Sequence, residues 1–183
     1  MIRVRRAEPG DAPALVELAQ AVGREEGRWI LATEGWRSIS EERRYLKTVL
    51  RHPDAAVIVA EDAGRVVGRL SLSRDPHPAS RHVADLGLMV AEGHRRQGIG
   101  KLLLAEAVVW ARSVGIHKLE LHVFPWNEPA LQLYGSFGFE REGYRKRHYA
   151  RGDELVDAIL MAYEIDAVAG GRTESASADS VRA

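Results

Sequence analysis

Between Arg95 and Lys101 the chain reads Arg-Arg-Gln-Gly-Ile-Gly-Lys, two cations, an amide and two glycines directly ahead of the apolar run Leu102-Leu103-Leu104. Glycine in a helix costs about 1 kcal/mol relative to alanine, so two of them at a helix start need a reason beyond folding. Unpaired N–H groups at a helix N-terminus hold anions, and a missing Cβ lets a phosphate come close. Two common phosphate loops do not fit. Counting back from Gly100-Lys101, a Walker loop meets Arg95 where its first glycine belongs and Leu102 where its hydroxyl belongs. A dinucleotide loop meets Leu103 in place of its third glycine. Further along, Tyr134 follows Asn127 by seven residues, about two helical turns, so the two share a helix face. A phenol there is a candidate proton donor.

The elements that must position these groups follow from pattern and punctuation. Ile2 to Arg6 alternates as a strand, and Asp11 with Pro13 opens a helix carrying Leu15, Leu18 and Val22 on one face. Residues 24–38 lack periodicity and are expected to form a loop. Ser40 is the expected cap of a second helix over Glu41–Leu50. Two apolar runs around Asp62-Ala63-Gly64 make a hairpin, followed by a strand at 81–90, the long helix 98–114 and a strand at 117–123. Asn127 caps a short helix, and a last hairpin turns at Arg151-Gly152-Asp153. The order β-α-α-β-β-β-α-β-α-β-β predicts an α/β chain with a mixed, mostly antiparallel sheet of about seven strands flanked by about four helices. One domain is expected over 1–166. The stretch 167–183 is small and polar, with too little apolar surface to offset ordering, and reads as a disordered tail.

Composition narrows the function. Net charge is +0, so no broad field recruits nucleic acid. The absence of an apolar run of membrane-spanning length and of a leader pattern leads to the expectation of a cytoplasmic protein acting away from membranes. With no cysteine there is no disulfide, thiolate metal site or cysteine nucleophile. The seven histidines show no metal-ligand spacing, so no metal is expected.

Arg95-x-x-Gly98-x-Gly100, set between a strand and a helix, resembles the coenzyme A loop of the GNAT superfamily of acyl-CoA N-acyltransferases. The later run Asn127, Ala130, Tyr134, Gly138, Phe139 is similar to that family's second signature. The likeness spans about 2–163 and is strongest from Arg81 onward. It implies a single-domain GNAT fold and direct transfer of an acetyl group from acetyl-CoA to an amine, with no acyl-enzyme. It also implies that Arg95, Arg96, Gln97, Gly98, Ile99, Gly100 and Lys101 take the pyrophosphate. Leu88, Met89 and Val90 would pair with the pantetheine arm, and Asn127, Ala130 and Tyr134 would line the same site. In the family a tyrosine at the Tyr134 position reaches the sulfur and protonates it.

The amine's proton acceptor has more than one candidate. Many members carry glutamate where this chain has Ala84. The candidates are His82, on the face of Ala84 and of a residue type that titrates near 6.5, and Asp85, on the opposite face unless the strand bulges. A base acting through water stays open. "LATEGW" and the last hairpin resemble a bacterial subgroup that acetylates free amino acids or small amines. Glu34 is placed to meet an ammonium, and Arg81, His82 or Arg147 a carboxylate. Trp29 and Trp36 are candidates for an apolar pocket wall or for core. A small-molecule amine is the expected partner; an acetyltransferase of protein N-termini or lysines and a non-catalytic coenzyme A module remain alternatives, as does a homodimer.

Overall fold

A computed structural model describes residues 1–30 and 35–165; Glu34 and the tail from 167 lie outside the described residues. The chain folds as β1 (Arg3–Arg6), α1 (Ala12–Gly23), α2 (Ile39–Arg51), β2 (Ala55–Asp62), β3 (Arg65–Arg74), β4 (Val83–Val90), α3 (Ile99–Ser113), β5 (Lys118–Val123), α4 (Glu128–Phe137), β6 (Glu140–Arg151) and β7 (Glu154–Glu164). Asp11 stands at the N-cap of α1, but its carboxylate serves instead the Glu8 N–H at 2.7 Å and the Arg5 guanidinium at 2.7 and 2.8 Å. The cap of α2 is Ser38, not Ser40. Its hydroxyl accepts from the Glu41 N–H while Glu41 accepts from the Ser38 N–H, a reciprocal pair that outcompetes a start two residues later. The hairpin turn is Ala63-Gly64, both left-handed (φ 46° and 80°), as a two-residue connection requires.

The seven strands lie in the order β1-β2-β3-β4-β5-β7-β6, antiparallel at every junction except β4–β5. One sheet face is covered by α3, whose Ile99, Leu103, Leu104, Ala107 and Ala111 pack on Ile58, Leu70, Ala84, Leu86, Leu119 and Leu121. On the other face α1 and α2 cover the β2 side through Leu15, Leu46, Val49, Val57 and Val59. Further across that second face, β4 and β5 present Asp85, Glu120 and His122 in place of apolar side chains.

β4 and β5 pair only from Val83–Asp85 to Lys118–Glu120 and then part, although β4 continues to Val90. A parallel strand with an open side leaves backbone donors and acceptors without a ladder partner, and this gap is the natural seat for an extended ligand. Among the described residues no helix is long and apolar enough to cross a membrane.

Candidate active site

A cleft of about 480 Å³ opens at the gap. It is lined by Leu88, Met89 and Val90 of β4, by Arg95, Arg96, Gly98, Ile99, Gly100 and Lys101 at the start of α3, and by Asn127, Ala130, Leu133 and Tyr134 of α4. Val22, Trp29 and Ile30 close its outer side. Trp29 is therefore a wall of the cleft. Trp36 is anchored elsewhere: its indole N–H donates to the buried Glu42 at 3.3 Å, and its ring lies 4.8 Å from the Arg69 guanidinium.

The two glycines have different reasons. Gly98 caps α3 in the left-handed region (φ 83°), and a Cβ there would project into open space within the cleft mouth. With Arg96 also left-handed (φ 62°), the loop has the backbone from which anion-holding concavities of N–H groups are built. The first-turn amides of Ile99, Gly100 and Lys101 add helix donors that have no carbonyl one turn back. Gly100 is a packing residue. A Cβ at this position would come within 2.6 Å of Leu133 Cδ2, so its absence lets α4 lie close against α3.

Two loop side chains brace the structure. Arg95 makes a bidentate pair with Glu25 at 2.6 and 2.7 Å and donates to the Val90 carbonyl at 3.0 Å, tying the end of β4 to the segment after α1. Gln97 donates to the Gly93 carbonyl at 3.1 Å.

The second signature has a local explanation at every position. Asn127 Oδ1 accepts the Ala130 N–H at 3.2 Å and caps α4, with Pro129 in the first turn where its missing donor is harmless. Gly138 ends the helix at φ 115°, a value open to glycine and strained for other residues. Phe139 then turns back onto the Tyr134 ring, 5.5 Å between centroids. Tyr134 is buried, and burial together with the nearby Asp85 charge pushes its phenol well above the usual value. It is thus a neutral O–H donor at any physiological pH.

On the opposite side of the gap the two base candidates fall in different surroundings. Ala84 lies in the core beneath α3, and it is Asp85 that faces the polar half of the sheet, opposite Ser73 and Glu120. Arg81 and His82 precede β4, whose other end reaches the cleft. At about 3.3 Å per residue they stand roughly 20 Å from Leu88. There the Arg81 guanidinium pairs with Asp54 at 2.8 and 2.9 Å, and the His82 carbonyl accepts from His117 and Lys118. The Arg147 N–H is held by Asp157 at 2.6 Å in a bulge of β6.

What the residue patterns did not single out is the cluster around His122. Its Nδ1 sits 2.6 Å from the Tyr149 hydroxyl, and its buried Nε2 has no hydrogen-bond partner among the described residues. Burial lowers the imidazole's pKa from 6.5, helped by Arg145 and His148, against the opposing pull of Glu120. Asp85 keeps an exposed surface on this face. Crowding by protein, with Glu120 beside it, raises its carboxyl to about 6. A signal was present: "KLELHV" alternates, placing Lys118, Glu120 and His122 on one face of a central strand where apolar residues are the norm.

Residues 17–139 match the "Acetyltransferase (GNAT) family". The chain belongs to the GNAT acetyltransferase family. This GNAT protein is an acetyl-CoA-dependent N-acyltransferase, and its sheet with four α-helices is the fold expected of one. It is 36% identical over 114 residues to the L-amino acid N-acetyltransferase AaaT of Escherichia coli, which covers 60% of this chain and 68% of the relative. Among solved structures, a GNAT acetyltransferase from Streptococcus pneumoniae superposes with a TM-score of 0.80 at 29% identity, covering 90% of this chain and 99% of that one. A ribosomal-protein-alanine N-acetyltransferase from Brucella melitensis gives 0.79 at 30% identity, covering 88% and 99%. The chain spans only about half the length of several further curated relatives.

Proposed function

We propose that this enzyme acetylates the α-amine of a free amino acid. The observation that carries the reading is the mixture of signs on one sheet face. The carboxylates Asp85 and Glu120 and a neutral His122 lie beside the cation Arg145, as a zwitterionic acceptor requires. The likeness to AaaT supports it.

Acetyl-CoA supplies the acetyl thioester and leaves as a thiol. The residues present fit it: an open position at the Gly98 Cβ, left-handed backbone at 96 and 98, and a strand edge at Leu88–Val90 with no β5 partner. In this reading the α3 N-terminus holds the pyrophosphate through backbone N–H groups, while Arg95 and Gln97 keep that backbone in shape. Asn127 and Ala130 set the α4 start. Tyr134 donates to the sulfur as charge develops there. His122 accepts the amine proton at Nε2, with Nδ1–H turned toward Tyr149, and Asp85 and Glu120 attract the ammonium form. An α-amine with pKa near 8 is about one-tenth neutral at pH 7, so a weak base such as a neutral imidazole suffices for it. A lysine side chain at 10.4 is neutral about once in 2,500 and asks far more of the base.

Gly98→Val tests the phosphate seat. It should weaken acetyl-CoA binding at least tenfold, about 1.4 kcal/mol, by calorimetry. The left-handed φ also strains valine, so a melting curve must show the variant folded. Folded protein with unchanged affinity would place the pyrophosphate elsewhere.

For the acceptor, thiol release is measured with free amino acids, polyamines, aminoglycosides and peptides. Free amino acids should lead in kcat/KM. A peptide N-terminus leading instead would favour the second reading, to which the likeness to the Brucella melitensis enzyme points.

A further inference from the structure

Several cations of the molecule already have an anion, among them Lys118 on the His122 face itself. Arg28 pairs with Glu154, Arg95 with Glu25, and Lys118 with Glu120 and Glu142. Arg145 differs. It projects from β6 onto the His122 face, in register with Ala158 of β7. Among the described residues its one hydrogen-bonding contact is Nη1 to His148 Nε2, at 3.3 Å. The His148 ring stands 5.3 Å from the His122 ring, so the guanidinium lies a single side chain away from the imidazole. Its charge is felt at Asp85, His122 and Tyr149, which lie on the same sheet face on three strands.

The β6 bulge makes this placement. Between Arg145 and Tyr149 the strand carries extra residues relative to β7, and the Asp157 carboxylate fastens the bulge through the Arg147 N–H and the Tyr144 hydroxyl. A regular strand would keep Arg145 and Tyr149 two full pleats apart; the bulge lets both converge on His122. Asp85 and Glu120 share this face, but among the described residues neither makes a direct ion pair with Arg145, so its remaining donors are available to a ligand carboxylate.

We infer that Arg145 is the carboxylate-recognising residue of the acceptor site, pairing an amino acid's carboxylate while its α-amine faces His122. A guanidinium offers two parallel donors to a carboxylate, which fixes direction as well as position. The inference rests on the amino-acid reading above and names the residue that would enforce it. A carboxamide retains the amine but loses the anion, and a peptide N-terminus places its next group where the carboxylate should be.

The test compares an amino acid with its carboxamide on the wild-type enzyme, Arg145→Gln and Arg145→Lys, with melting curves for all three. The wild type should favour the acid. Arg145→Gln should raise KM for the acid about tenfold or more, with kcat and the kinetics of the carboxamide little changed, and Arg145→Lys should restore part of the preference. An acid preference that survives in Arg145→Gln overturns the assignment while leaving the amino-acid reading intact, as does an equal loss on both acceptors. A wild-type enzyme that acetylates no free amino acid removes the reading itself, and this assignment with it.

Discussion

Tyr134→Phe should lower kcat by about 10²-fold while acetyl-CoA affinity stays near the wild-type value. The substitution keeps the ring that packs 5.5 Å from Phe139 and removes a single O–H, so folding is spared and only proton donation is lost. A hundredfold is the usual lower size of a positioned acid's contribution. The raised phenol bears on how the donation works. With its proton held more tightly than in free tyrosine, Tyr134 does not ionise in the resting enzyme, and in the proposed mechanism it would donate as negative charge appears on the thioester sulfur. Steady-state kinetics with a parallel calorimetric titration separates the outcomes. Full turnover in Tyr134→Phe would return the residue to a packing role.

His122→Gln should lower kcat/KM by about 10²-fold at pH 7, and the deficit should shrink by pH 9. The sign follows from the lowered imidazole. A histidine whose folded pKa lies below 6.5 is neutral at pH 7 and gains its proton only on further acidification. The acidic limb of the wild-type profile therefore lies below 6.5, with Asp85, raised to about 6, titrating in the same range. Two neighbouring groups give apparent values that belong to the cluster. At pH 9 an α-amine is mostly neutral without help, and a base has less to contribute. A deficit constant from pH 6 to 9 would mark His122 as structural. Gln is chosen because its amide can still meet the Tyr149 hydroxyl, so the pocket keeps its shape.

The glycine loop before α3 and the α4 signature were legible because their demands are local. A left-handed Gly98, an Asn127 cap and a chain reversal at Gly138 are each satisfied within a few residues, and residue type alone reports them. The strand order along the chain was equally readable, since alternation and turn residues act at short range. The base was not. Choosing between His82 and Asp85 depended on which face of β4 looks toward α3, and alternation gives two faces without saying which is inside. His122 was visible only as one polar residue in an alternating strand.

By itself, then, the sequence determined the elements, the Asn127 cap and the glycine-bearing start of α3, because backbone geometry there follows from neighbouring side chains. Tertiary structure decided the rest. It paired β4 with β5 for three residues and let them part, buried Ala84 beneath α3, and carried Arg81 and His82 to the far end of the strand. It also bulged β6, so that Arg145 and Tyr149 converge on a histidine more than twenty residues earlier. Those contacts join separate strands of one sheet. Their geometry is set by register and by the packing of helices on the other face, which no short stretch of sequence contains.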